Sequence, residues 1–214
     1  MHKSSLLRME WFTETFLPRD ERRLKILDVG SYNVNGCYRD YFPQDRFDYT
    51  GLDMQAGPNV DIVPKSLYSW KEIDSDSFDV IISGQVFEHS EFFWLTAAEM
   101  TRVLKKDGYM CVIAPNGFLE HRYPVDCWRF FTDGMIAIAR YLNLDVLHAH
   151  TNCAPSPEHA DWYSKVKADA MLVARKPYAG KAQTVDPETC QCVPADQVTV
   201  RSGLIPFQEP VRRK

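Results

Sequence analysis

Apolar residues recur along this chain in two rhythms, short continuous runs and a wider helical spacing, and the two alternate over most of its length. Residues 24–29 (LKILDV) form an apolar run broken only by Lys25 and Asp28. Tyr49–Leu52, Phe78–Gly84 (FDVIISG) and Tyr109–Ala114 are further runs, with a shorter one at Val60–Val63. Runs of this kind suit strands buried on both faces of a parallel sheet. Leu144–Leu147 and Ala170–Ala174 read as two late strands. Met9, Phe12 and Phe16 mark one stripe of a helix over 4–17 that Pro18 stops, either packed on the sheet or closing over a ligand as a lid. Phe93, Ala97, Met100 and Leu104 repeat that spacing, with Lys105 and Lys106 suited to a helix C-terminus and Gly108 to its exit. Shorter helices are expected at Cys37–Phe42, ended by Pro43, and near 133–142. The alternation predicts a Rossmann-like, doubly wound α/β domain over 1–177. Its seven-stranded sheet is mostly parallel with an antiparallel edge strand, and helices cover both faces.

From Tyr178 the rhythm stops. Residues 178–214 hold Pro187, Pro194, Pro206 and Pro210 and end on Arg212-Arg213-Lys214, the composition of an extended arm. Such an arm is a candidate for holding a second copy of the chain or another partner.

Composition narrows the partners. A formal net charge of −4 supplies no field that would gather nucleic acid or an anionic membrane. No window approaches the ~18–20 apolar residues of a membrane span, and Arg8 and Glu10 interrupt any secretion signal. The six cysteines are scattered without a C-x-x-C pair, so a reduced, cytoplasmic protein is expected. His148 and His150 share one strand face and Cys190 and Cys192 lie close, but neither pair has a third ligand nearby in sequence, and no metal is expected.

The chemistry gathers at the strand ends. The first run closes on Gly30-Ser31-Tyr32, a glycine turn of the kind that lets backbone approach a nucleotide-type cofactor. The second closes on Asp53-Met54, at roughly the 20-residue interval after the turn that a ribose-binding carboxylate keeps. A dinucleotide site would need G-x-G-x-x-G, and here Tyr32 and Asn35 replace two of the glycines. The block FDVIISGQVFEHSEFFWLTAAEMTRVLKKDGYMCVIAPN contains Glu88-His89, Glu99, Arg102-Val103-Leu104-Lys105 and Gly108 in order.

With Asp28-Val29-Gly30 ahead of it, that block resembles the small-molecule, type 11-like class I S-adenosylmethionine-dependent methyltransferases. The segment His121–Met135 (HRYPVDCWRFFTDGM) is similar to one found in a bacterial subgroup of them. The resemblance covers roughly 20–176 and implies S-adenosylmethionine as cofactor. It places Gly30, Ser31 and Tyr32 beside the methionine part, Asp53 on the ribose, Met54 and Leu67 on the adenine faces, Ser66 at the adenine amine, and Gly84-Gln85 at the amino-acid end. Ser66 stands where the family often has an aspartate. The implied reaction is methyl transfer to a small polar acceptor, a hydroxyl of a sugar or related metabolite. A hydroxyl acceptor must lose its proton, which makes His89 and His121 the candidate bases. Asp126, Trp128 and Arg129 are candidate acceptor contacts, although Asp126 and Arg129 could instead pair on a helical turn. Two other readings stay open: a nicotinamide-dependent oxidoreductase, and a non-catalytic cofactor-binding or scaffold subunit.

Overall fold

The computed structural model describes residues 3–117, 119–151, 162, 168–178, 183–185 and 192–194. Helix α1 (Lys3–Phe16) comes first, followed by strands β1 (Leu24–Val29), β2 (Phe47–Leu52) and β3 (Phe78–Gly84). Helix α2 (Phe93–Val103) leads directly into the long strand β4 (Leu104–Gly117). Helix α3 (Thr132–Tyr141), β5 (Asp145–Thr151) and β6 (Ala168–Arg175) complete the domain. The sheet order is β2-β1-β3-β4-β6-β5. β1 to β4 run parallel, and β6 pairs antiparallel with both β4 and β5, so the reversed strand is β6 and the edge strand β5 runs with β1 to β4.

Alternate residues of the central strands feed two cores. Leu27, Val29, Ile81, Met110 and Val112 meet Ala97, Met100 and Val103 of α2 and Met135, Ile138 and Ala139 of α3. Ile26, Val80, Ile82, Cys111 and Ile113 face the other way, onto Met9 and Phe12 of α1. Each fully buried large apolar side chain contributes on the order of 1.5–3 kcal/mol. The N-terminal helix packs on the sheet, with Ser4, Ser5, Arg8, Met9 and Phe12 buried.

Three expectations need correction. The helix expected at Cys37–Phe42 is only a three-residue 3-10 turn, Arg39–Tyr41. Asn33 folds the chain back by accepting the Gly36 N–H at 3.0 Å, and Pro43 follows too soon for a longer helix. Tyr38 and Phe42 beside that turn pack into the core that α1 covers. The strand expected at Val60–Val63 shrinks to one bridge, Leu52 to Ile62, so the described sheet has six strands where seven were expected. Asn59 in left-handed backbone before it (φ 71°) and Pro64 after it leave no room for a ladder. Finally, α2 ends at Val103, and Lys105 reaches Asp79 at 3.0 Å across a bulge in β4 and does not cap the helix.

The chain divides into a compact unit of residues 1–179 and a second of 180–214. Within the second, β7 (Gln183–Val185) and β8 (Cys192–Pro194) pair antiparallel, where an arm without regular pattern was expected. Cys190 of the proposed cysteine pair lies outside the described residues. Among the described residues no helix is long and apolar enough to cross a membrane.

Candidate functional site

The carboxyl ends of the parallel strands carry most of the site residues expected from the sequence. Leaving β1, Gly30 takes φ +83°, and a Cβ there would overlap the Val86 side chain. Only glycine fits both demands. The Gly30 and Ser31 N–H groups donate to the Leu52 carbonyl at 2.8 and 3.1 Å, which ties the turn to the end of β2. Ser31 is buried, and its hydroxyl has no hydrogen-bond partner in the structure. Asp53, just beyond β2, accepts the Tyr32 N–H at 3.0 Å on Oδ2. The Tyr32 ring turns away to lie on Gly57. Met54, Ser66 and Leu67 are exposed on loops beyond the sheet, with the Ser66 hydroxyl accepting the Tyr68 N–H at 3.4 Å. At the end of β3, Gly84 lies so close to the Tyr38 hydroxyl that a Cβ would overlap it. Gln85 takes φ 61°, and its Nε2 donates to Asp169 on β6 at 3.0 Å. No long helix follows the glycine turn, and its N–H groups are held within the protein, that of Asn33 by the Pro58 carbonyl at 3.0 Å.

Beneath the turn, Asp28 is buried in β1 and accepts a hydrogen bond from the Tyr49 hydroxyl. Burial pushes its carboxyl up to about 7, against the pull of the Tyr49 hydrogen bond. The Arg39 guanidinium lies 4.3 Å over the Tyr49 ring and ties Asn59 and Asp61 to the same corner.

The second half of the site joins β3 to the segment after β4. Glu88 and His89 sit in the 3-10 turn Phe87–His89 after β3. Glu88 is fully buried, and its carboxyl is pushed up to about 8 by that burial. His89 does not cap α2. Its Nδ1 lies 2.6 Å from the Val125 carbonyl, so Nδ1–H donates there and Nε2, 3.7 Å from Glu88 Oε1, keeps its lone pair. Burial lowers the His89 imidazole's affinity for a proton, with the Val125 hydrogen bond opposing. The His89 and His121 rings are 5.0 Å apart and edge-on. The two histidines expected at separate strand ends therefore form one pair.

Asp126 holds this segment together. It accepts the His121 N–H at 2.7 Å and takes both terminal nitrogens of Arg129, at 2.5 and 2.7 Å. Those Arg129 hydrogen bonds keep its carboxyl well below the usual range, and Asp126 in turn raises the guanidinium. The pair forms in irregular chain, not on the helical turn considered above. Trp128 packs against the start of α2: its Nε1 donates to the Ser90 carbonyl at 3.0 Å, and its ring meets Phe93 at 5.4 Å. His148 and His150 lie on β5 against Trp11 and Trp162.

Sequence reasoning missed one group entirely. The Ser4 hydroxyl donates to Asp169 at 2.7 Å, Arg8 Nη1 lies 3.7 Å from the same carboxylate, and Ser5 meets the Tyr38 hydroxyl at 2.6 Å. These side chains of α1 back the crevice behind Gly84 and Gln85. No local signal announces a contact between the two ends of a domain.

Comparison with known proteins agrees with this arrangement. The family model described as Methyltransferase domain matches residues 27–112. No curated protein matches the chain in sequence. Among solved structures, the YcgJ protein of Bacillus subtilis is 16% identical with a TM-score of 0.60, covering 83% of this chain and all of its own. The 1,6-didemethyltoxoflavin-N1-methyltransferase of Burkholderia thailandensis, solved with 1,6-didemethyltoxoflavin and S-adenosylhomocysteine bound, is 15% identical with a TM-score of 0.59. That alignment covers 81% of this chain and 78% of that one. An S-adenosylmethionine-dependent methyltransferase of Mesorhizobium loti is 16% identical with a TM-score of 0.57, covering 78% of this chain and 98% of its own. Residues 27–112 thus match a methyltransferase domain, and the domain shares the fold of these solved S-adenosylmethionine-dependent methyltransferases.

Proposed function

We propose that this protein transfers the methyl group of S-adenosylmethionine to a hydroxyl of a small polar acceptor. Bound, the cofactor supplies an already activated methyl on a sulfonium centre, so the protein has only to align the acceptor with it and exclude water. The residues present fit it: the glycine turn closes β1 at the sheet's carboxyl edge, the buried Ser31 hydroxyl has no hydrogen-bond partner in the structure, and Asp53 stands at the tip of β2. Asp53 would accept from the ribose hydroxyls, and Ser31 and Tyr32 would border the methionine part. Met54, Leu67 and Ser66 would border the adenine, with Gly84-Gln85 at the amino-acid end. The observation that carries the choice of a hydroxyl is the His89–His121 pair above the buried Glu88, a set of groups able to act on a departing proton. Asp126 and Arg129 would fix that segment against the acceptor, with Trp128 as its wall.

Titration calorimetry tests the cofactor half. Micromolar binding of S-adenosylmethionine and S-adenosylhomocysteine is expected, weakened at least tenfold in Asp53→Ala, with no heat from NADH. Binding of NADH alone would overturn the reading. Screening hydroxylated acceptors for S-adenosylhomocysteine release tests the rest.

A further inference from the structure

The geometry points to a divalent transition-metal site built from Glu88, His89 and His121. Each of the three offers one ligand atom, and these atoms lie within 4.8 Å of one another. Glu88 is 0% exposed, and neither of its carboxylate oxygens has a hydrogen-bond partner in the structure. A buried carboxyl left without a partner is costly, and a cation is one way to satisfy it.

The surroundings of the two imidazoles match what metal-bound histidines require. Such rings donate their second N–H to a carbonyl or carboxylate, which fixes the ring and directs the other nitrogen to the ion. His89 Nδ1 meets the Val125 carbonyl at 2.6 Å. His121 Nδ1 lies 3.4 Å from Asp126, whose carboxylate Arg129 clamps. A tetrahedral ion with bonds of about 2.0–2.2 Å holds its ligands roughly 3.3–3.5 Å apart, so side-chain rotation suffices to close the set. Two imidazoles and one carboxylate select Zn2+, Co2+, Fe2+ or Mn2+ over Ca2+ or Mg2+. Three protein ligands also leave a coordination position open. The histidine side chains, 16% and 38% exposed, form the open rim over the buried Glu88.

The consequence for chemistry rests on the proposed hydroxyl methylation. The acceptor oxygen takes the open position, where the ion acidifies it, and the histidines hold the ion in place of the proton. The O–H proton leaves to water. The oxygen's electron pair forms the new C–O bond, and the C–S pair stays on sulfur. Expansion of the ion to five-coordinate admits a second oxygen, so acceptors with two neighbouring oxygens, such as vicinal diols or hydroxy acids, are then favoured.

The test uses the untagged full-length chain, stripped with a chelator, then titrated with Zn2+ by calorimetry and with Co2+ by visible absorption. One equivalent is expected, with binding weakened at least tenfold in both Glu88→Gln and His121→Asn and unchanged in His148→Asn. If Glu88→Gln fails to fold, His121→Asn decides alone, because that side chain is partly exposed in irregular chain. Absence of binding, binding unchanged in the variants, or binding lost only in His148→Asn would overturn the site. S-adenosylmethionine is titrated in parallel. Cofactor binding without cation binding sinks the metal site alone, and cation binding without cofactor binding sinks the methyltransferase reading alone.

Discussion

Asp28 and Asp126 show how opposite surroundings set two carboxyls apart. Asp28 is buried with a neutral hydroxyl for company, and its folded pKa of about 7 lies above the unfolded value near 4. The folded state therefore binds the extra proton between those limits, and this contribution to stability falls as pH rises from about 4 to 7. Asp28→Asn should remove that dependence. Thermal melts from pH 5 to 8 should show the variant gaining on wild type as pH rises, by up to a few kcal/mol at neutrality. Asp126 runs the other way. Its pKa is depressed by Arg129, so its contribution is present above the unfolded value and lost as pH falls. Arg129→Ala leaves the nearly buried Asp126 carboxylate with the His121 N–H and without its fork of charged donors. A loss of about 1–3 kcal/mol is expected in urea unfolding at pH 7, shrinking toward acid pH.

Helix α1 is the element whose role the amphipathic stripe only half described. Met9 and Phe12 were legible as a packing face because their spacing is local. The polar corner Ser4, Ser5 and Arg8 was not, because its partners Asp169 and Tyr38 lie on other elements. Arg8 is fully buried, and burial lowers its guanidinium to about 10 despite Asp169. Its Nε and Nη2 lack hydrogen-bond partners. Removing either member of such a pair leaves the other charge buried without its counter-ion. Arg8→Met should still cost less than Asp169→Ala, because Asp169 keeps the Ser4 and Gln85 hydrogen bonds. Asp169→Ala should cost roughly 3–5 kcal/mol, which chemical denaturation of the two variants would compare directly. The strands were legible for the same local reason as Met9, since 24–29, 78–84 and 109–114 are nearly uninterrupted apolar runs. The 37–42 segment was misread because Tyr38 and Phe42 have helical spacing but serve as plugs under α1. His89 and His121 were legible singly, as histidines at strand ends. That they pair over Glu88 depends on how the chain folds back after β4.

The molecule as a whole divides at residue 179, and the two units can be separated by a stop after Ala179. The shortened chain is expected to keep the melting temperature and S-adenosylmethionine affinity of the full one. Calorimetry of both would reveal any dependence of the domain on residues 180–214. Within the domain the order of assembly follows from one hydrogen bond. Ser4 and Asp169 are 165 positions apart, and they meet at the back of the crevice between Gly84 and the core. During synthesis α1 leaves the ribosome ahead of the sheet, yet the strand that receives its polar corner is the last of the six-stranded sheet to be made. At about 5–20 residues per second, the polar corner of α1 waits many seconds for Asp169. β1 to β4 can pair in the order they appear, but the crevice acquires its back wall only when β6 slots between β4 and β5. The back of the crevice is thus the last wall this domain closes, and a chain released before β6 would have a sheet with nothing behind Gly84 and Gln85.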